Sequence, residues 1–320
     1  MSPSRRTVLA AATAGVLASA GGLAVGQATP AFAAESSPVG FASLNGGTTG
    51  GSSGTVVTVT TASALKSALS SGTSQTVRVS GLITISGMYG VASNKTVIGV
   101  GSGSGITGGG LNLSGVRNVI LRNLVFKNAA DDSINVQSGS TNIWIDHNDL
   151  SNGYDGLIDI KRGSDFVTVS WNHLHNHDKS MLLGHSDDNS AQDLGHLRVT
   201  YVHNWFDGTN QRHPRVRFAN PVHVLNNYYS NVGSYGVAST ENAGVFVERN
   251  YFENVAHPTV TQTGDSDAGN LKVLNNYKVN SGAEEVRNGA SVAAIPYSYT
   301  PEANTSVKAT VTAGAGTGKI

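Results

Sequence analysis

IWIDHNDL (Ile143–Leu150) and, 24 residues further on, VTVSWNHL (Val167–Leu174) repeat one pattern: alternating apolar residues that close on an asparagine, followed by an aliphatic or aromatic side chain. Five further copies make seven: VILRNLVF (Val119–Phe126), RVTYVHNWF (Arg198–Phe206), VHVLNNYY (Val222–Tyr229), VFVERNYF (Val245–Phe252) and LKVLNNY (Leu271–Tyr277). The asparagines Asn123, Asn148, Asn172, Asn204, Asn227, Asn250 and Asn276 stand 25, 24, 32, 23, 23 and 26 residues apart. Period-two alternation of Val, Ile and Leu is the signal of strands. Its return every ~20–30 residues marks a stacked solenoid, in which each coil buries its apolar face only against its neighbours. The pattern predicts an all-β chain wound as a β-solenoid.

The asparagines predict corners. Asn tolerates the left-handed region that a turning chain needs, and its amide can hydrogen-bond to the next coil. Stacked at one corner, such amides would form a ladder along the molecule. The 32-residue interval from Asn172 to Asn204 leaves room for a polar excursion, GHSDDNSAQDLG (Gly184–Gly195). Insertions of this kind in solenoids often gather on the binding face.

The chain has 320 residues, with 21 basic and 21 acidic side chains and no basic stripe, which points away from nucleic acid as a partner. Residues 1–33 read as an export signal: Ser4-Arg5-Arg6-Thr7-Val8-Leu9 is a twin-arginine pattern and Ala31-Phe32-Ala33 a small-x-small cleavage site. A general secretory signal is the alternative; either predicts a secreted protein. Without this segment the mature chain has 19 basic and 21 acidic groups. There is no cysteine, so stability outside the cell has to come from the solenoid core. Residues 34–55 are small and polar and predict a flexible lead-in to a solenoid domain over 56–320. TASALKSALSSG (Thr61–Gly72) spaces Ala62, Leu65 and Leu69 for a short amphipathic helix that would cap the open N-terminal end. From Pro296 the tail breaks the repeat and is expected to fold back over the coils or the far end. Nothing suggests a partner surface, and a monomer is the expectation.

Acids and bases are clustered. Asp131 and Asp132 precede one strand, Asp155 and Asp159 flank Gly-Leu-Ile of the next coil, Lys179 follows in HNHDKSMLLGH, and Arg212, Arg215 and Arg217 lie in NQRHPRVRF. Coils stack about 4.8 Å apart, so residues one repeat apart can be neighbours in space. Converging carboxylates repel one another, and a hard cation such as Ca²⁺ relieves this with loose all-oxygen coordination. Cations beside such a site suit a polymeric carboxylate as ligand. Four of the ten histidines, His173, His175, His177 and His185, fall together, and alternation puts the first three on one strand face. Zinc is conceivable there, but no HExxH spacing accompanies them. There is no cysteine nucleophile, and no GxSxG stands between a strand pattern and a helix pattern as an elbow (Gly50–Gly54 falls in the small polar lead-in), so acyl transfer lacks its parts.

Together, WIDHN (Trp144–Asn148), DGLIDIK (Asp155–Lys161), VTVSWNHLHNHDKSMLLGHSD (Val167–Asp187) and RHPRVR (Arg212–Arg217) resemble the pectate lyase family of parallel β-helix polysaccharide lyases, over about residues 56–300. The resemblance implies a right-handed parallel β-helix with a calcium-dependent cleft along one side. By position, Asp132, Asp155 and Asp159 look like calcium ligands, Arg212 like the catalytic base, and Lys179 and Arg217 like groups that hold substrate carboxylates. Asp146 and His147 look structural. Some relatives carry another acid where Ala130 stands; Asp131, next to it, is expected to point to the opposite face and to be at most a minor ligand. The implied reaction is β-elimination on polygalacturonate, giving 4,5-unsaturated oligogalacturonates. A guanidinium acting as base needs neighbouring cations to ease its proton off. The alternatives are a pectin lyase, which lacks the calcium carboxylates, a polygalacturonase, which would leave the Arg212 element unexplained, and a non-catalytic polysaccharide-binding β-helix.

Overall fold

The computed structural model describes residues 35–320; the export-signal reading of residues 1–33 lies outside them. From Arg117 to Val260 each coil is three short strands joined by bends, as in Asp165–Ser170, His173–His175 and Lys179–Leu183. Stacked in parallel, the coils give a β-helix with three faces. The first face is a ten-stranded sheet from Thr55–Val59 to Asn270–Leu274. The second and third faces are joined near the N-terminal end by one long strand, Gly105–Ser114. Its first half pairs with Val125–Lys127 on the second face and its second half with Ile134–Gln137 on the third. Among the described residues no helix is long and apolar enough to cross a membrane.

Alternation sends every second residue inward, and the register stacks like on like. Val119, Ile143, Val167, Val199, Val222, Val245 and Leu271 form one fully buried column. On the second face Phe206, Tyr229 and Phe252 stack with centroids 4.9 and 4.4 Å apart. Helix Ala62–Ser70 forms as predicted, with Thr61 Oγ1 accepting from the Ala64 N–H, and it delivers Leu65 and Leu69, both fully buried, to the core of the first coils.

The ladder is present, with a correction. From Asn148 to Asn276 each Nδ2 donates to the next Oδ1 at 2.9–3.0 Å. The same oxygens accept backbone N–H groups. Yet the left-handed residue is the one before each of these asparagines: His147, Trp171, His203, Asn226, Arg249 and Asn275 all have φ of 50–55°. Asn123 aligns with those corner residues (φ 56°), and Leu124 occupies the ladder column, its N–H donating to Asn148 Oδ1. The buried amides are therefore there for coil-to-coil hydrogen bonding, and the corners take whichever residue precedes them.

Residues 35–54, expected to be flexible, instead lie along the outside of the first face. Phe41 and Ala42 are buried, and their N–H groups donate to Thr200 Oγ1 and Thr168 Oγ1. Hydroxyls that alternation points outward thus find backbone partners, which explains why Thr168 and Thr200 are buried. The tail folds back over the coils as predicted. Tyr297 OH meets Thr200 and His223, helix Val307–Gly314 lays Val307 and Val311 on Tyr228, and Gly318 N–H reaches Asn123 Oδ1 at 2.7 Å.

Candidate active site

The third face gathers the chemistry, coil by coil. Residues 128–133 form a bend rather than a strand, so Asp131 is not turned away from Asp132 as alternation predicts. One carboxylate oxygen each of Asp131, Asp132 and Asp155 lies within 4.8 Å of the others. Asp159 stands beside them on strand Gly156–Ile160. Gly156 N–H donates to Asp132 Oδ1 at 2.9 Å, and a Cβ at Gly156 would sit 2.1 Å from Asp159 Oδ1 and 3.0 Å from Asp132 Oδ1. Only glycine leaves that cradle open.

Lys161, two residues after Asp159 and on the same outward side, bridges the pair at 3.1 Å to Asp132 and 3.8 Å to Asp159. Even so, burial and then repulsion from Asp132 push the Asp159 carboxyl up, and burial pushes Asp132 up against Lys161. Asp159 Oδ1 is buried with no hydrogen-bond partner among the described residues. An unsatisfied buried carboxylate oxygen beside three further carboxylates, with no nitrogen or sulfur donor among them, fits a hard divalent cation.

The next coils supply cations. Lys179 Nζ donates to Asp155 Oδ1 at 2.9 Å. Burial alone would raise the Asp155 pKa, but this bond and the charges of Lys179, Arg212 and Lys161 hold it down. Arg212 follows one coil on, at a corner (φ 64°), where its carbonyl accepts from Met181 N–H. Arg217 is buried and already held: its Nε pairs with Asp187, and Nη1 donates to Gly184 O at 3.0 Å. Asp187 comes from the polar excursion and also accepts from Ser266 Oγ at 2.8 Å, while Arg215 Nη2 donates to Ser266 Oγ. Beside Asp155 and Lys179, a groove of about 410 Å³ is lined by Asn152, Tyr154, His177 and Asp178. Tyr154 is 81% exposed at its lip.

The structure thus brings Asp132, Asp155, Asp159, Lys179 and Arg212 together, and adds Asp131 and Lys161. Period-two reading of Asp159-Ile-Lys161 would have found Lys161. The Asp187 restraint on Arg217 crosses 30 residues and leaves no local signal. Asp146 is structural, fully buried between Arg122 and His147, each at 2.7 Å.

The family model for pectate lyases matches residues 5–320. The chain belongs to the pectate lyase family. It is similar to a pectate lyase of Emericella nidulans, 40% identical over 276 residues and 83% of each chain. A pectate trisaccharide-lyase of Bacillus licheniformis is 37% identical over 300 residues, 88% of this chain and 86% of that one. Among solved structures, the pectate lyase of Bacillus sp. N165 in complex with trigalacturonate superposes with a TM-score of 0.80 at 31% identity, covering 88% of this chain and 99% of that one. The lyase is accordingly a polysaccharide-cleaving enzyme on a parallel β-helix.

Proposed function

We propose that the chain is a secreted, calcium-dependent lyase that cleaves α-1,4-polygalacturonate by β-elimination. The observation that carries this is the order on one face: four carboxylates, then Lys179, then Arg212, on successive coils. Asp131, Asp132, Asp155 and Asp159 would hold calcium, which when bound would draw electron density from a uronate carboxylate and acidify the neighbouring C5 hydrogen. Lys179 lines the groove and offers its ammonium to the same carboxylate, stabilising charge as it builds there. Arg217, fixed through Nε and Nη1, keeps Nη2 for a second uronate. Arg212, acting in its neutral form, takes the C5 proton and becomes guanidinium; the C5–H electrons form the C4–C5 double bond as the C4–oxygen bond breaks, and the departing oxygen keeps that bond's electron pair and takes a proton from water.

Mature protein, polygalacturonate and Ca²⁺ should give ultraviolet absorbance of the unsaturated product, and a chelator should abolish it. New reducing ends without that absorbance would mean hydrolysis, and a signal that survives chelation would mean an ester-specific lyase. Arg212→Ala should lower turnover by about 10²–10⁴-fold with the fold intact by circular dichroism. Near-normal turnover in this variant would remove Arg212 as the base.

A further inference from the structure

Around the bend from the carboxylate cluster, the second face carries a different donor set. Asp149 pairs in register with His173, and Ser151 with His175, so both imidazoles stand over the Asp149 carboxylate. Asp149 Oδ2 lies 3.0 Å from His173 Nδ1 and Oδ1 lies 3.0 Å from His175 Nε2, and one donor atom from each of the three residues lies within 4.8 Å of the other two. Donors around one ion at about 2.0–2.1 Å are separated by roughly 3.0–3.4 Å, so these atoms need little movement to share a metal. The side chains are 27, 18 and 23% exposed for Asp149, His173 and His175, which leaves room for a water ligand.

A second observation lies one coil further on. Asp207, in register with His175, approaches the other ring nitrogen of His173, Nε2, at 3.5 Å. A carboxylate behind a ligating imidazole orients the ring and raises its basicity, as is usual around bound zinc. On the outer side of His175, the Asn176 amide lies 2.9 Å from Nδ1 and, turned to present Oδ1, would accept its N–H.

We propose that Asp149, His173 and His175, with Asp207 behind His173, form a second metal site that takes a divalent transition cation such as Zn²⁺. Imidazole donors separate it in kind from the all-oxygen cluster on the third face. Its ligands and their support come from three successive coils, so the ion would clamp coils that otherwise touch only their neighbours. The competing account is a bare ion pair between Asp149 and the two imidazoles.

Untagged mature protein, stripped of metal and then saturated with Ca²⁺, is titrated with Zn²⁺ by calorimetry and followed by thermal melting. The expected result is one Zn²⁺ per chain and a raised Tm. Both should be lost in His173→Gln/His175→Gln and kept in Asp155→Asn/Asp159→Asn, and Asp207→Asn should bind about 10–100-fold more weakly. Circular dichroism of the metal-free variants, or the single His175→Gln variant, separates loss of the site from loss of the fold. Co²⁺ in place of Zn²⁺ should give visible absorption bands that the histidine variant lacks. No Zn²⁺ uptake above the Ca²⁺ background, or uptake unchanged in the histidine variants, overturns the proposal and leaves the ion pair.

Discussion

Lys161 sits between two carboxylates that repel each other, and its ammonium does in the metal-free chain part of what a cation would do. Lys161→Met should therefore lower the Tm of chelated protein and enlarge the rise on adding Ca²⁺, because the ion then relieves a stronger repulsion. An unchanged calcium-induced shift would place Lys161 outside the electrostatics of the site. His213, next to Arg212, is fully buried; its Nδ1–H donates to Tyr235 O at 2.8 Å and Nε2 accepts from Thr209 Oγ1 at 2.7 Å. Burial pushes its pKa down to about 4, although its backbone contacts oppose the shift. The unfolded chain takes up this proton near pH 6.5 and the folded chain only near 4, so in that window the unfolded state holds more protons and stability falls as pH drops. The limiting slope is about 1.4 kcal/mol per pH unit. Denaturant midpoints between pH 7 and 4.5 should fall more steeply for the parent than for His213→Gln; parallel slopes would deny His213 the effect.

Among the elements, the amide ladder and the C-terminal segment make separate claims. Asn204 sits mid-ladder and donates to Val169 O and Asn227 Oδ1, while accepting from Asn172. Asn204→Ala strands several buried partners at about 1–3 kcal/mol each, and should cost roughly 3 kcal/mol or more in urea unfolding. Asn276→Ala, at the half-buried upper end, should cost less than about 1.5 kcal/mol. Equal losses would mean the column does not act through its hydrogen bonds. Removing residues 306–320 uncovers Tyr228, against which Val307 and Val311 pack, and the partly buried Trp205 and Tyr251 beside it. That variant should bind a hydrophobic dye and melt lower, and unchanged dye binding would count against the packing role.

Over the whole molecule, period-two alternation and the repeat were enough to read the coil, because every coil solves the same burial problem and writes the solution into its sequence. The helix at Ala62–Ser70 was legible for the same reason, since Leu65 and Leu69 fall one turn apart. Asp132, Asp155, Asp159, Lys179 and Arg212 were legible as a set through family motifs, whose spacing equals the winding of the chain. What escaped was non-periodic. The bend that sets Asp131 beside Asp132, the Asp187 hold on Arg217 and the docking of residues 35–54 depend on contacts across 23 to 159 residues that no local pattern records. A still longer reach bears on biosynthesis. Thr317 and Gly318 close onto Ser102 and Asn123, some 200 positions earlier in the chain. A nascent polypeptide can wind its early turns as they leave the ribosome, yet the seam along its flank stays unzipped until those late residues are made. A premature stop codon shortly upstream would release a wound but unlatched spring, its aromatic stripe open to chaperones and proteases.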